Sequence, residues 1–312
     1  MRIDLSKYIK SLFDKLPRYY RHDAFCKDVF LNLFMARLIL TCILDKVLLA
    51  ELDITRMEIV NDKFINKRLR SLYADVIYRI PLKNGKEGEC IYWVIDFKSD
   101  NRHNATIQLF RYSYNMSMML AGIEKDDDDE IKQQTKVHKN QPLPCVIAMI
   151  FHCGECVFTA PTDIADLISL PQGSALRSLI FRYRILVYDL NVLIEKTMPS
   201  NPIVYLFFRI LIIAHSKNVN EEVFALFEKF KEDFYKSKIF LTLWDLGLYY
   251  LLTSSKYFDP KTYEKIINLT KELGVKIMST TIAVKFYQEA ETNGIAKGRI
   301  EGIKEGKKEG KK

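Results

Sequence analysis

No apolar run in this chain is long enough to cross a bilayer. Stretches such as Leu38 to Leu44 and Ile210 to Ala214 fall far short of the roughly 20 residues that a spanning helix needs. A secretory leader is lacking too: Met1 to Arg21 alternates Lys, Arg and Asp with apolar residues and has no uninterrupted apolar core. The expectation is a soluble, cytoplasmic protein without a membrane partner. Cysteines occur at 26, 42, 90, 145, 153 and 156, mostly inside apolar segments, as reduced core thiols do. Cys153-Gly154-Glu155-Cys156 beside His152 is the one spacing that suggests zinc or redox chemistry, and it lacks the second ligand pair that a structural zinc site needs. Strong charge is also lacking. Residues 294–312 hold seven Lys or Arg and three Glu, a net +4, so of the chain's +8 only +4 remains for the other residues. That balance permits salt-dependent attraction to phosphate without establishing a nucleic-acid function.

What is present is enough apolar material for a core. With 312 residues, 48% of them hydrophobic, one or two folded domains are expected. The most informative stretch runs from Leu72 to Ser99. Its arms, Leu72 to Ile80 and Ile91 to Lys98, are rich in Ile, Val, Tyr and Trp and flank Lys83-Asn84-Gly85-Lys86, which reads as a β-hairpin. A two-residue turn at Asn84-Gly85 sets Asp75 opposite Val94. A four-residue loop from Asn84 to Glu87 sets it opposite Asp96. Either even-length loop gathers Asp75, Asp96 and Lys98 on one face, because side chains alternate with period two; an odd-length loop separates them.

Three charges within apolar strands are costly unless paired, coordinated or at strand ends. Two carboxylates suit Mg²⁺, and a lysine beside them can orient or deprotonate an attacking water and offset phosphate charge, an arrangement fitted to phosphodiester hydrolysis. The same Asp-x-Lys pattern also reads as plain ion pairing at a wet sheet edge, and the residues alone leave both readings open.

Context comes from a series of motifs. His22-Asp23-Ala24-Phe25-Cys26-Lys27 opens an amphipathic run. It is followed by Tyr73-Ala74-Asp75-Val76-Ile77-Tyr78-Arg79, then Ile91-Tyr92-Trp93-Val94-Ile95-Asp96-Phe97-Lys98-Ser99. After these come Gln108-Leu109-Phe110-Arg111-Tyr112 and the apolar Cys145 to Phe151 stretch leading to His152-Cys153-Gly154-Glu155. In that order, from about Tyr20 to Val192, the chain resembles the Rpn family of recombination-promoting nucleases, the YhgA-like transposases, with an echo in the C-terminal Glu-Gly repeats. The resemblance implies a PD-(D/E)xK core, that is, a helix, a three-stranded antiparallel sheet, a helix and a fourth strand. It also implies a metal-dependent endodeoxyribonuclease with Mg²⁺, or Mn²⁺ in its place, as cofactor. Carried over, Asp75 is the first metal-binding acid, Asp96 the second and Lys98 the terminal lysine, with the Phe97 carbonyl completing the site. Ala74 replaces the nominal proline. Asp96 stands where Glu is usual, which shortens that ligand by one methylene. Many such nucleases cut as dimers, so self-association is implied by analogy.

Around this core, Phe25 to Leu44 has helical apolar spacing, with Asp23 placed either to cap the helix start or to serve the site. His22 reads as a phosphate contact or as solvated, and Lys27 as an accessory DNA contact. Asn104 to Leu120 reads as the helix after the hairpin, with Ile107, Phe110, Tyr114 and Met118 as its core stripe. Gln108 and Arg111 then lie off that stripe, on an ordinary exposed face or reaching the site or the DNA backbone. Glu124 to Glu130 is a self-repelling solvated insertion without an EF-hand pattern. Cys145 to Phe151 is a buried strand. Val204 to Ala214, Val223 to Phe234 and Ile239 to Leu252 are helical and fit packing or protein interaction.

The expected architecture is α/β: an N-terminal segment (1–20), a restriction-endonuclease-like domain (21–198, acidic insertion 124–141), a helical region (199–290) and a Gly/Lys/Glu tail (291–312). The tail's four-residue glycine repeat lowers helix stability by about 1 kcal/mol per glycine relative to alanine, so it is expected to order only against nucleic acid or a protein partner. The expected function is DNA phosphodiester hydrolysis in recombination or mobile elements. The competing class is a catalytically inactive DNA-binding or protein-interaction module on the same fold.

Overall fold

The structure, a computed structural model, describes residues 22–60, 75–86, 88–101, 104–121, 143–171, 173–193 and 198–273. The N-terminal segment, Tyr73 and Ala74, the acidic insertion and the tail lie outside these residues. The chain divides into two compact units, one spanning His22–Ile212 and the other holding the described residues from Ile213 onward.

The first unit is built on one five-stranded sheet in the order β1 (Glu58–Ile59), β2 (Val76–Pro81), β3 (Cys90–Lys98), β4 (Cys145–His152), β5 (Leu186–Asp189). β1, β2 and β3 pair antiparallel; β3, β4 and β5 pair parallel. The switch follows from the connections: a short loop joins β2 to β3, whereas the return from β3 to a parallel β4 requires a crossover, which contains helix α4 (Ala105–Leu120). Three shorter helices precede it: α1 (His22–Leu31), α2 (Leu33–Ile43) and α3 (Lys46–Glu51). A helix, an antiparallel three-strand unit, a helix and a fourth strand form the restriction-endonuclease-like α/β core, here extended by β5.

The sheet is covered on both faces. On one, α4 packs Ala105, Leu109, Tyr112 and Met116 against Ile77, Val94, Ala148 and Ile150. On the other, Phe30 of α1 meets Phe97 and Phe151 at ring-centroid distances of 5.0 and 5.3 Å, and Phe207 of α5 (Pro202–Ile213) joins them. Tyr78 donates its hydroxyl to the Phe30 carbonyl, tying β2 to the end of α1.

Two expectations need correction. The run from Phe25 to Leu44 is not one helix: Asn32 breaks it, its side chain accepting from the amides of Phe34 and Met35 at 3.1 and 3.2 Å and starting a second helix. The stripe of α4 assigned to the core is also the wrong one, since Ile107 is 43% and Tyr114 50% exposed. Both stripes have helical spacing. The one that faces the sheet brings the small Ala105, Thr106 and Ser113 with it, which allows close approach.

The second unit contains α6 (Val219–Phe230), α7 (Asp233–Lys236), α8 (Lys238–Ser254) and α9 (Pro260–Glu272). Its core is aromatic: Phe234 lies 5.1 Å from Trp244 and 5.8 Å from Phe240, with Phe227 and Phe230 beside them. Asp259 caps α9 through the Thr262 amide, with Pro260 in the first turn. Among the described residues, no helix is long and apolar enough to cross a membrane.

Candidate active site

Alternation along β3 decides what each residue faces. Phe97 enters the aromatic core, so Val94, Asp96 and Lys98 face α4; Val94, and Ile150 level with Asp96 on β4, belong to the core under that helix. The register of β2 with β3 runs from Val76↔Ile95 to Pro81↔Cys90. One further residue sets Asp75 level with Asp96, which is the four-residue-loop alternative. The ladder closes earlier, where the Leu82 amide donates to the Glu89 carbonyl at 3.1 Å. The connection 83–88 is therefore longer than either turn considered, but its length is still even, so the polar residues keep to one face.

Asp75 precedes the first paired residue of β2. Its amide donates to the Ile95 carbonyl, and its Oδ2 accepts from the Phe97 amide at 2.8 Å. Asp96 is 3% exposed. Its Oδ2 lies 2.8 Å from Lys98 Nζ, a buried ion pair at hydrogen-bond distance. Burial pushes the Asp96 carboxyl up to about 7. Lys98 pulls it back, and the neighbouring Asp75 adds to the rise.

This donor set fits a hard divalent cation. Asp96 is costly to ionise where it stands, and one lysine does not fully offset it beside a second carboxylate. Among the described residues, no group of three or more His, Cys, Asp or Glu side chains is arranged to hold a metal. Asp75 and Asp96 are two hard oxygen donors of the kind a divalent cation takes, and a cation there would need further oxygen ligands from elsewhere.

The remaining candidates are placed unequally. His22 and Asp23 sit in the first turn of α1 and Lys27 is half-buried further along it. Asp23 and Asp75 both add, after burial and Cys153, to the rise of the Cys26 thiol on α1. Gln108 is half-buried on α4, while Arg111 is exposed rather than turned toward the sheet.

Spacing alone did not reveal the row of residues at the carboxyl ends of the parallel strands. Lys98, His152 and Asp189 are level in adjacent strands. His152 is buried, with Nε2 2.7 Å from the Cys156 carbonyl. Asp189 accepts from the amides of Phe158 and Asn191 at 2.6 and 2.9 Å, fixing the turn after β4. Gly154 is forced by close approach: a Cβ there would stand 2.2 Å from the Ser99 carbonyl oxygen. The signal for this region was the His152-Cys153-Gly154-Glu155 motif, which marked the segment without giving its partners.

A family model described as "Putative transposase, YhgA-like" matches residues 20–239. Searches of curated proteins and of solved structures return no significant match. The matched segment contains the whole sheet, both acids and the lysine, and it covers more than half of the 312 residues; the chain belongs to the YhgA-like transposase family.

Proposed function

We propose that this chain is a metal-dependent DNA endonuclease that serves recombination or mobile elements by hydrolysing phosphodiester bonds. The observation that carries the reading is the buried Asp96, its carboxyl pushed up to about 7, level with Asp75 and ion-paired with Lys98 at the end of a central strand. Family membership supports a DNA-related nuclease role at the coarser level. Asp75 and Asp96 hold Mg²⁺, or Mn²⁺ in its place, with the Phe97 carbonyl as a further donor. The bound cation supplies Lewis-acid polarisation of the phosphate and a more acidic water.

Lys98 then orients the attacking water and offsets charge on the phosphate, exchanging part of its contact with Asp96 for these new partners. His22, Asp23 and Lys27 at the start of α1, with Gln108 and Arg111 on α4, are the accessory positions toward the DNA backbone. A second copy of the chain is the proposed partner for double-strand cleavage, and the basic tail strengthens binding to nucleic acid.

One observation favours the competing reading of an inactive binding module: the 2.8 Å Lys98–Asp96 pair gives the lysine a partner without any metal. Incubating supercoiled plasmid with the purified protein in Mg²⁺ and in EDTA, with DNA binding followed in parallel, separates the two. Nicking in Mg²⁺ that stops in EDTA is expected. Equal binding in both conditions with no cleavage in either would favour the module.

A further inference from the structure

Two buried thiols meet at the edge of this site. Cys26 on α1 is fully buried and Cys153, the residue after β4, is 3% exposed. Their Sγ atoms lie 3.9 Å apart although 127 residues separate them in sequence. Cys153 is held against the end of β3, its amide donating to the Lys98 carbonyl at 2.9 Å and its Sγ lying 3.7 Å from the same oxygen. A disulfide requires about 2.05 Å between sulfurs, so closure asks for a movement of roughly 2 Å, within reach of a side-chain rotation and a small shift of α1.

We propose that Cys26 and Cys153 are an oxidisable pair that closes reversibly to a disulfide, fastening α1 to the end of β4 beside Lys98. The oxidant is a small-molecule disulfide of the glutathione class, and its entry point is Cys156, which is exposed and completes a Cys-x-x-Cys spacing with Cys153. The Cys156 thiolate attacks the small disulfide, forming a mixed disulfide and releasing one small thiol. Cys153 attacks Cys156 Sγ and expels the second small thiol, giving a Cys153–Cys156 bond. Cys26 then attacks Cys153 Sγ, forming the Cys26–Cys153 bond and returning Cys156 as a thiol. Each attacking thiol yields its proton to the sulfur that leaves, so the small disulfide gains two electrons and two protons and the protein pair loses them.

The order of events follows from burial. Desolvation raises the Cys26 thiol well above its ordinary value, with Cys153, Asp75 and Asp23 adding to the rise. A buried thiol does not meet an oxidant first; Cys26 enters last, attacking Cys153 Sγ as a thiolate while its proton passes to the departing Cys156 sulfur. Any effect on DNA cleavage rests on the proposed function, whereas formation of the bond does not.

The test treats the full-length protein with oxidised glutathione under native conditions, alkylates the remaining thiols and maps linked peptides by mass spectrometry. Wild type, Cys26→Ala and Cys156→Ser are compared. The expected result is a Cys26–Cys153 link in wild type, absent in Cys26→Ala and removed by reductant. The melting midpoint of the oxidised protein rises by on the order of 10 °C, because a long loop has been closed. In Cys156→Ser the same link forms at least about tenfold more slowly, since a buried thiol must react directly. Modification confined to the exposed Cys42, Cys145 and Cys156, or a Cys26–Cys153 link that appears only above the melting midpoint, overturns the proposal. An unchanged rate in Cys156→Ser overturns the entry route.

Discussion

Asp96 is a buried carboxylate whose ionisation costs the fold stability. Its folded carboxyl is pushed up to about 7 from an ordinary 3.8, burial being the largest cause. The folded state therefore binds the proton more tightly than the unfolded chain does, and stability falls as pH rises from about 4 to 7. The contribution is fully present below the unfolded value and is lost above the folded one. Asp96→Asn should accordingly match or exceed wild type in melting midpoint at pH 8 without metal, an advantage that disappears near pH 4; differential scanning across that range reads it. At the proposed metal site, any midpoint increase on adding Mg²⁺ to wild type should shrink as pH falls through about 7, because proton and cation would compete for the same carboxylate. Gly154 makes a different demand at this scale. A methyl group 2.2 Å from the Ser99 carbonyl forces the β3 end and the turn after β4 apart. Gly154→Ala should cost roughly 1–3 kcal/mol, seen as a lower denaturant midpoint.

At the scale of elements, the α1–α2 break depends on one side chain. Asn32→Ala removes the acceptor for the Phe34 and Met35 amides and should lower stability by about 1 kcal/mol, whereas Asn32→Asp should retain most of it; urea denaturation of the pair distinguishes them. The same residue explains why periodicity misleads in this part of the sequence. Apolar spacing continues through Asn32 almost unbroken, and only the capping role of its side chain shows that the helix stops. Helix α4 is legible in type and extent but not in orientation: two apolar stripes run along it, and the choice between them depends on the sheet beneath. The β2–β3 pair is the most legible element because β-branched and aromatic runs flanking Asn84-Gly85 mark the two strands and the period-two spacing of Asp96 and Lys98 marks their shared face. Asn84-Gly85 does not fix the turn length, yet the parity argument does not need it. Pairings that join distant segments, such as Cys26 with Cys153, leave no periodic trace in a sequence.

For the whole molecule, the distribution of charge bears on the proposed binding of DNA. Half of the net +8 lies in residues 294–312. Deleting that segment should weaken DNA binding and lower the slope of log affinity against log salt by a few units at most, about 0.9 for each duplex phosphate that the tail no longer neutralises; fluorescence anisotropy over a salt series measures it. Cleavage by the deleted chain should persist at low salt, since both acids and the lysine lie within the His22–Ile212 unit. On the proposed reading, one sheet face carries a metal-dependent hydrolytic site. The rate of plasmid nicking by wild type and Asp96→Asn, side by side in Mg²⁺ at low salt with circular dichroism showing both folded, decides it. A loss of about 100-fold or more in the variant is the predicted result; equal nicking by the two proteins would contradict it.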